Sequence, residues 1–257
     1  CNSGGKKLTS LLKKLDVDRK VISVIREIYG DSNYNPLLED ADTKVFISLP
    51  KEFISLSEVP KGFNPEYKHA IHYLTQRGIG IKDIIKYNIG YCKEGLYGQR
   101  VIIPSYNSDG SLNYFVSRSY YPENKMKYKN PPISKNIICF ESQVNWNEPI
   151  ILCEGVFDAI TIKRNAIPLL GKFPSRNLVE KIFMSGVSDI IISLDSDAIN
   201  EALKAAEYFR KQGINVKMMY MEDKDASEIG YKKFYEQLKK TKEFSSEELL
   251  LNKINSL

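Results

Sequence analysis

The 257-residue chain is long enough to bury a core, as one large domain or two small ones, and its 42% hydrophobic and 27% charged residues match an ordinary globular protein. No apolar run approaches the ~18 residues of a membrane-spanning helix and nothing resembles a secretion signal, so no membrane partner and a cytoplasmic location are expected. The net charge of +5 lies wholly in residues 1–148, while 149–257 is balanced, which points to a division of labour between a basic half and a neutral one. Cys1, Cys92, Cys139 and Cys153 are far apart and form no CxxC pair, so neither a disulfide framework nor a closed zinc site is legible.

Residues 6–30, "KKLTSLLKKLDVDRKVISVIREIYG", have apolar spacing compatible with helix, with Asp16 or Asp18 capping a second segment. In 31–50 Asn, Asp, Ser and Pro collect and periodicity is lost, which reads as a linker. A helix over "NPEYKHAIHYLTQRG" closes at Gly78, and a second, "GIKDIIKYN", closes near Gly90. "RVIIPSY" and "LNYFVSRSY" flank "NSDG", the signal of a β-hairpin. Around it basic residues interleave with tyrosines in "QRVIIPSYNSDGSLNYFVSRSYYPENKMKYKN", a pattern that serves equally for gripping a nucleic-acid strand and for a solvated sheet face.

From 149 the pattern becomes strand, helix, strand, helix. "PIILCE", "AIPLL", "DIIISLD" and "INVKMMYM" alternate with helical "FDAITIKRN", "SRNLVEKIFMSG" and "AINEALKAAEYFRKQG". Such alternation predicts an α/β fold with a parallel sheet, whose ligands sit at the carboxyl ends of the strands. The boundaries read as 1–50, 51–148, 149–235 and 236–257, the last an amphipathic stretch that either caps the sheet or docks a partner.

Two of those strands run into acid, Glu154 in the first and Asp195 and Asp197 in the second, with Asp158 one helical turn on and Asp225 beyond a further strand. Carboxylates crowded at one sheet end repel unless a cation lies among them, and hard oxygen donors suit Mg²⁺ or Mn²⁺. Each acid has a structural alternative, since Asp197 also stands where it would cap the following helix.

"CEGVFDA", "SLDSDA" and "DKDASE" resemble the TOPRIM signature shared by DNA primases, topoisomerases and some nucleases. "YLTQRGIGIKDIIKYNIGY" and "RVIIPSYNSDGSLNYFVSRSYYPENKMKYKNPP" are similar to the basic subdomain of DnaG-type primases, most of all their phage branch, and the resemblance spans roughly 64–232. It implies an α+β basic subdomain (51–148) followed by a Rossmann-like TOPRIM parallel sheet with flanking helices (149–235). It further implies Glu154, Asp195 and Asp197 as catalytic residues. Metal ligands would be these three with Asp158 and Asp225, holding Mg²⁺ or Mn²⁺. Arg77, Arg100, Arg118, Lys127, Asn130 and Lys135 would bind nucleic acid and nucleotide. One departure is that the family's Asp-Pro-Asp reads Asp225-Ala226-Ser227 here, which replaces a second acid by a hydroxyl.

"CNSGGKKLTSLL" is similar to the end of the family's zinc ribbon, with Cys1 as the last ligand of a ribbon otherwise outside this chain. The implied activity is RNA primer synthesis from ribonucleoside triphosphates on single-stranded DNA, beside a replicative helicase, in a bacterial host cytoplasm if phage-encoded. The alternatives are a TOPRIM nuclease or topoisomerase fragment and a catalytically idle strand-binding or helicase-recruiting module. His69 and His72, the only histidines, read as surface or core-edge residues, and no P-loop sequence is present.

Overall fold

Two four-stranded sheets share one core in the computed structural model, which describes residues 47–195, 198–219, 226–241 and 243–244. The first sheet comprises β1 (Phe53–Ser55), β2 (Gly90–Cys92), β3 (Arg100–Tyr106) and β4 (Leu112–Ser119), antiparallel in that order. Helices α1 (Pro65–Gln76) and α2 (Ile81–Lys86) connect β1 to β2. The start of α1 follows local chemistry: the Asn64 side chain accepts the Tyr67 N–H at 3.0 Å, and Pro65 fills the first turn, where a missing N–H costs little.

The hairpin forms where the sequence predicts it. Gly110 N–H donates to Asn107 O at 3.0 Å and Asn107 N–H to Ser111 O at 2.9 Å, with Gly110 in the left-handed region at φ 82°. The second helix ends earlier than its glycine suggests. It stops at Lys86, and Asn88, at φ 51°, makes the left-handed turn. Gly90 instead lies inside β2, where a Cβ would stand 2.3 Å from the Phe53 ring, so the glycine permits β1 to close on β2. Both strands have three residues, too few for an apolar period to be read.

The second sheet runs β6-β5-β7-β8, all parallel, from β5 (Ile150–Cys153), β6 (Ala166–Pro168), β7 (Asp189–Ser193) and β8 (Asn215–Met218). Its helices are α3 (Val156–Ile162), α4 (Arg176–Ser185), α5 (Ile199–Lys211) and α6 (Ala226–Lys240), so the expected α/β class holds. Along β5 the side chains alternate between layers. Ile150 and Leu152 pack with Leu178, Ile182, Ala202 and Phe209 of α4 and α5, whereas Ile151 and Cys153 face α3, α6 and the first sheet. β6 and β7 flank β5 on opposite sides, and in open parallel sheets such a reversal is where a crevice forms beyond the carboxyl ends of the strands, here β5 and β7.

Helix α6 spans the boundary at 235 and begins within the third acidic motif, "DKDASE". Gly230, at φ 75° and ψ 163°, breaks it into two pieces, which is why no continuous period marks it. Of the expected C-terminal helical stretch, 236–240 lies in α6. The expected helices of 6–30, the linker up to 46, Cys1, Asp197, Asp225 and 245–257 lie outside the described residues. Among the described residues no helix is long and apolar enough to cross a membrane.

Two outcomes follow from the packing. Phe234, fully buried in the shared core from α6, carries the helix against β5 and the first sheet. Phe234→Ala is expected to cost about 3–5 kcal/mol, read as a lowered urea midpoint at unchanged slope. Burial, followed in Cys92 by the Glu52 charge, pushes the Cys92 and Cys139 thiols from 9.0 up to about 12. Both bind a proton more tightly folded than unfolded, so their contribution to stability is complete below pH 9 and is lost as pH rises towards 12. Urea titrations from pH 8 to 11 should show that decline, and native-state alkylation at pH 8.5 should leave the Cys92, Cys139 and Cys153 peptides unlabelled.

Candidate active site

Glu154 follows β5 directly, and Asp195 follows β7 after a single residue. Cys153 and Ser193 are register partners, so the two carboxylates stand on neighbouring strands at the same sheet end, both half-buried. Cys153 responds to their proximity. Its thiol is held protonated far above the ordinary range, first by burial and then by the surrounding charges, with Asp158, Asp195 and Glu154 among them. Next to Glu154, Leu170 adopts φ 55°, uncommon for a bulky residue, and its N–H donates to Glu154 O at 3.1 Å.

Asp158 does structural work in this crevice. Its Oδ2 accepts the Gly155 N–H and its Oδ1 the Ser227 N–H, each at 3.1 Å, so one buried carboxylate caps α3 and pins the first turn of α6. A side chain at position 155 would place its Cβ 3.2 Å from Oδ2, which accounts for the glycine. Ser227 Oγ in turn accepts from Arg77 Nη1 at 3.4 Å. Asp197 and Asp225 are outside the described residues, among which no three His, Cys, Asp or Glu side chains form a metal-binding group. Glu154 and Asp195 still supply the hard oxygen donors that suit Mg²⁺ or Mn²⁺.

Arg77 also lines an open cavity of about 520 Å³. One wall is α1, through His69, His72, Tyr73 and Arg77, and the other is the end of β4 and the chain after it, through Arg118, Tyr120, Tyr121 and Lys127. The Arg77 guanidinium lies 4.6 Å from the Phe157 ring centre and 5.1 Å from that of Tyr73, held by α3 and α1 together. Arg118 lies 4.4 Å over Tyr128, and its buried Nε has no hydrogen-bond partner among the described residues. Lys127 is exposed. Burial raises the Tyr128 hydroxyl pKa while Arg118 and Arg77 pull it back, which places this tyrosine between the cations.

Three of the six expected nucleic-acid residues, Arg77, Arg118 and Lys127, line the cavity, and the other three bond backbone groups nearby. Arg100 does not face the groove. It is 4% exposed and donates through Nη1 to Lys127 O at 3.1 Å and through Nη2 to Met126 O at 2.6 Å. Asn130 turns inward, its Oδ1 accepting the Ser117 N–H at 3.0 Å. Lys135 donates to Leu170 O at 3.0 Å and so meets the turn that flanks Glu154.

The wall opposite carries His69 and His72, which the sequence reads as surface or core-edge residues and which are both exposed. His69 Nδ1 is 2.8 Å from the Tyr121 hydroxyl, and both Tyr120 and Tyr121 donate to Glu66; His72 Nε2 is 2.9 Å from the Gln76 amide nitrogen. The signal was present as spacing, because 69, 72, 73, 76 and 77 lie along one helical face.

No family model matches the sequence. The chain is similar to the uncharacterised protein MG010 of Mycoplasma genitalium, 28% identical over 166 residues that span 60% of this chain and 75% of that protein. It is similar also to the MG010 homologue of Mycoplasma pneumoniae, 25% identical over 171 residues, 63% of this chain and 80% of that one. Among solved structures, the DnaG primase catalytic domain bound to single-stranded DNA matches with a TM-score of 0.62 at 18% identity, over 74% of this chain and 76% of that one. The E. coli primase catalytic core matches with a TM-score of 0.60 at 18% identity, over 74% and 78%. The RNA polymerase domain of Mycobacterium tuberculosis primase DnaG gives 0.57 at 16% identity, over 69% and 77%. An antiparallel sheet that leads into a β6-β5-β7-β8 parallel sheet, matched over most of each of these chains, shows that this protein has the fold of the DnaG-type primase catalytic core.

Proposed function

We propose that the chain synthesises RNA primers on single-stranded DNA from ribonucleoside triphosphates. A fold by itself names no activity. The observation that carries the reading is one shared residue: Arg77 lines a groove of cations and aromatic rings and is bonded to Ser227, whose N–H is held by Asp158, one turn beyond Glu154 at the sheet end where Asp195 also stands. That one solved neighbour is a primase domain bound to single-stranded DNA supports the choice of strand.

In this reading Arg118 and Lys127 neutralise strand or nucleotide phosphates, and Tyr73 and Tyr128 offer rings beside them, so that the strand is gripped without its sequence being read. Arg77 is held by two rings and keeps its charge directed at the boundary between groove and crevice. Glu154 stands where it can take the proton of an attacking 3′ hydroxyl. Glu154 and Asp195, with Asp197 and Asp225 of the same signature, would hold Mg²⁺ or Mn²⁺, which when bound supplies charge neutralisation and orientation at a triphosphate.

One observation favours a second reading. Position 227, where the family pattern carries an acid, holds a 7% exposed serine engaged with Asp158 and Arg77. A chain so altered that grips strands without polymerising would be a binding module.

Extension of an annealed RNA primer by labelled ribonucleotides with Mg²⁺ or Mn²⁺ separates the two. Asp195→Ala is expected to reduce extension on the order of a hundredfold or more, since loss of a metal ligand removes several kcal/mol of charge stabilisation. Strand binding without extension under either metal would support the module, and shortening of the primer would support a nuclease. In the groove, Lys127→Ala and Arg118→Ala should each weaken binding of unrelated oligonucleotides alike and lower the salt slope of log K by about one.

A further inference from the structure

Arg100 is a cation in an unexpected place. It stands at the first residue of β3, 4% exposed, and its guanidinium meets two backbone carbonyls, with no carboxylate partner among the described residues. Burial, then the like charge of Arg118, lowers its proton affinity. Burying an unpaired charge is expensive, and a neutral amide could bridge backbone groups at less cost. The guanidinium differs in its rigid planar fork, whose two ends here span the successive carbonyls of Met126 and Lys127.

Those carbonyls belong to an irregular segment that carries Lys127, and the segment is tied to β4 on its other side. Ser119 N–H donates to Lys127 O at 2.9 Å, Lys129 N–H donates to Ser117 O at 3.0 Å, and Arg118 forms an isolated bridge with Tyr128. Lys127 O thus receives two donors, one from the strand and one from Arg100. Among the described residues the Lys127 ammonium has no such fixing of its own, and its side chain is exposed on the groove rim. The backbone beneath sets the point from which it reaches into the groove.

We infer that Arg100 is a positioning residue: its buried fork holds the Met126–Tyr128 backbone against β4 so that Lys127 faces the groove, and it acts on a bound phosphodiester strand through Lys127 without touching it. The inference rests on the reading of the groove as a strand site. An arginine that touched phosphate would contribute independently of Lys127, whereas one that places Lys127 loses its effect once Lys127 is gone.

The test is a double-mutant cycle on the full chain. A fluorescein-labelled single-stranded DNA oligonucleotide is titrated across a salt series with wild type, Lys127→Ala, Arg100→Gln, Arg100→Lys and the Arg100→Gln/Lys127→Ala double variant, each also unfolded in urea. Arg100→Gln is expected to lose as much affinity as Lys127→Ala, on the order of five- to tenfold, with the same drop of about one in salt slope. The double variant should bind no more weakly than either single one. Losses that multiply would mean that Arg100 reaches the strand itself and would overturn the inference, as would an Arg100→Gln protein that binds like wild type. If Arg100→Gln does not fold, Arg100→Lys decides: it keeps the charge but not the fork, so binding at the Lys127→Ala level supports positioning and wild-type binding refutes it. Equal binding by wild type and Lys127→Ala would instead remove the strand reading of the groove, and the inference with it.

Discussion

Asp158 lies where α3, α6 and the carboxyl end of β5 meet, and each of its oxygens is bonded to a backbone N–H of a different helix. Without it the first turn of α3 would lose its cap and Ser227 would lose the bond that seats α6. Through Ser227 the same carboxylate reaches Arg77, which is clamped between Tyr73 of α1 and Phe157 of α3. One buried acid therefore links the parallel sheet to the groove built on the antiparallel one. The acid one turn past Glu154 thus holds two backbone amides.

The shared core gives this link its rigidity. Phe157, Ile151 and Cys153 from the second half pack with Leu74, Val101, Ile103 and Tyr114 from the first, so the crevice and the groove wall rest on the same packed layer. The basic residues divide by burial. Arg77, Arg118 and Lys127 turn towards the cavity, whereas Arg100, on the strand next to Arg118, turns into the protein and holds backbone. Cations of one segment thus differ in depth below the surface, and with it in what they bond.

Much of the fold was legible from the chain. The Asn64-Pro65 start of α1, the Asn107–Gly110 turn and the alternating strands and helices after 149 rest on local rules: a cap, a left-handed glycine and the apolar period. Where locality failed, the cause was distance in sequence. β1 and β2 exist because Phe53 covers Gly90, 37 positions on in the chain, and α6 is interrupted at Gly230, so neither shows a period long enough to read. In the site, Glu154 and Asp195 were visible as acids at the ends of apolar runs. His69 and His72 were read as surface or core-edge residues, and both are exposed, but their partners were not legible because a histidine on a helix does not reveal which neighbour it faces.

Sequence by itself thus determined the order of elements, the acids at the strand ends and the concentration of positive charge before residue 149, since each follows from residue type and spacing along one segment. The tertiary structure alone decided which acids and cations are used for what. It drew Asp158 onto two backbone amides, Asn130 onto Ser117, Lys135 onto Leu170 and Arg100 onto the Lys127 segment, while it left Arg77, Arg118 and Lys127 around one cavity. A charged side chain goes to the partner that best offsets its loss of water, and that partner is set by packing between segments distant in the chain.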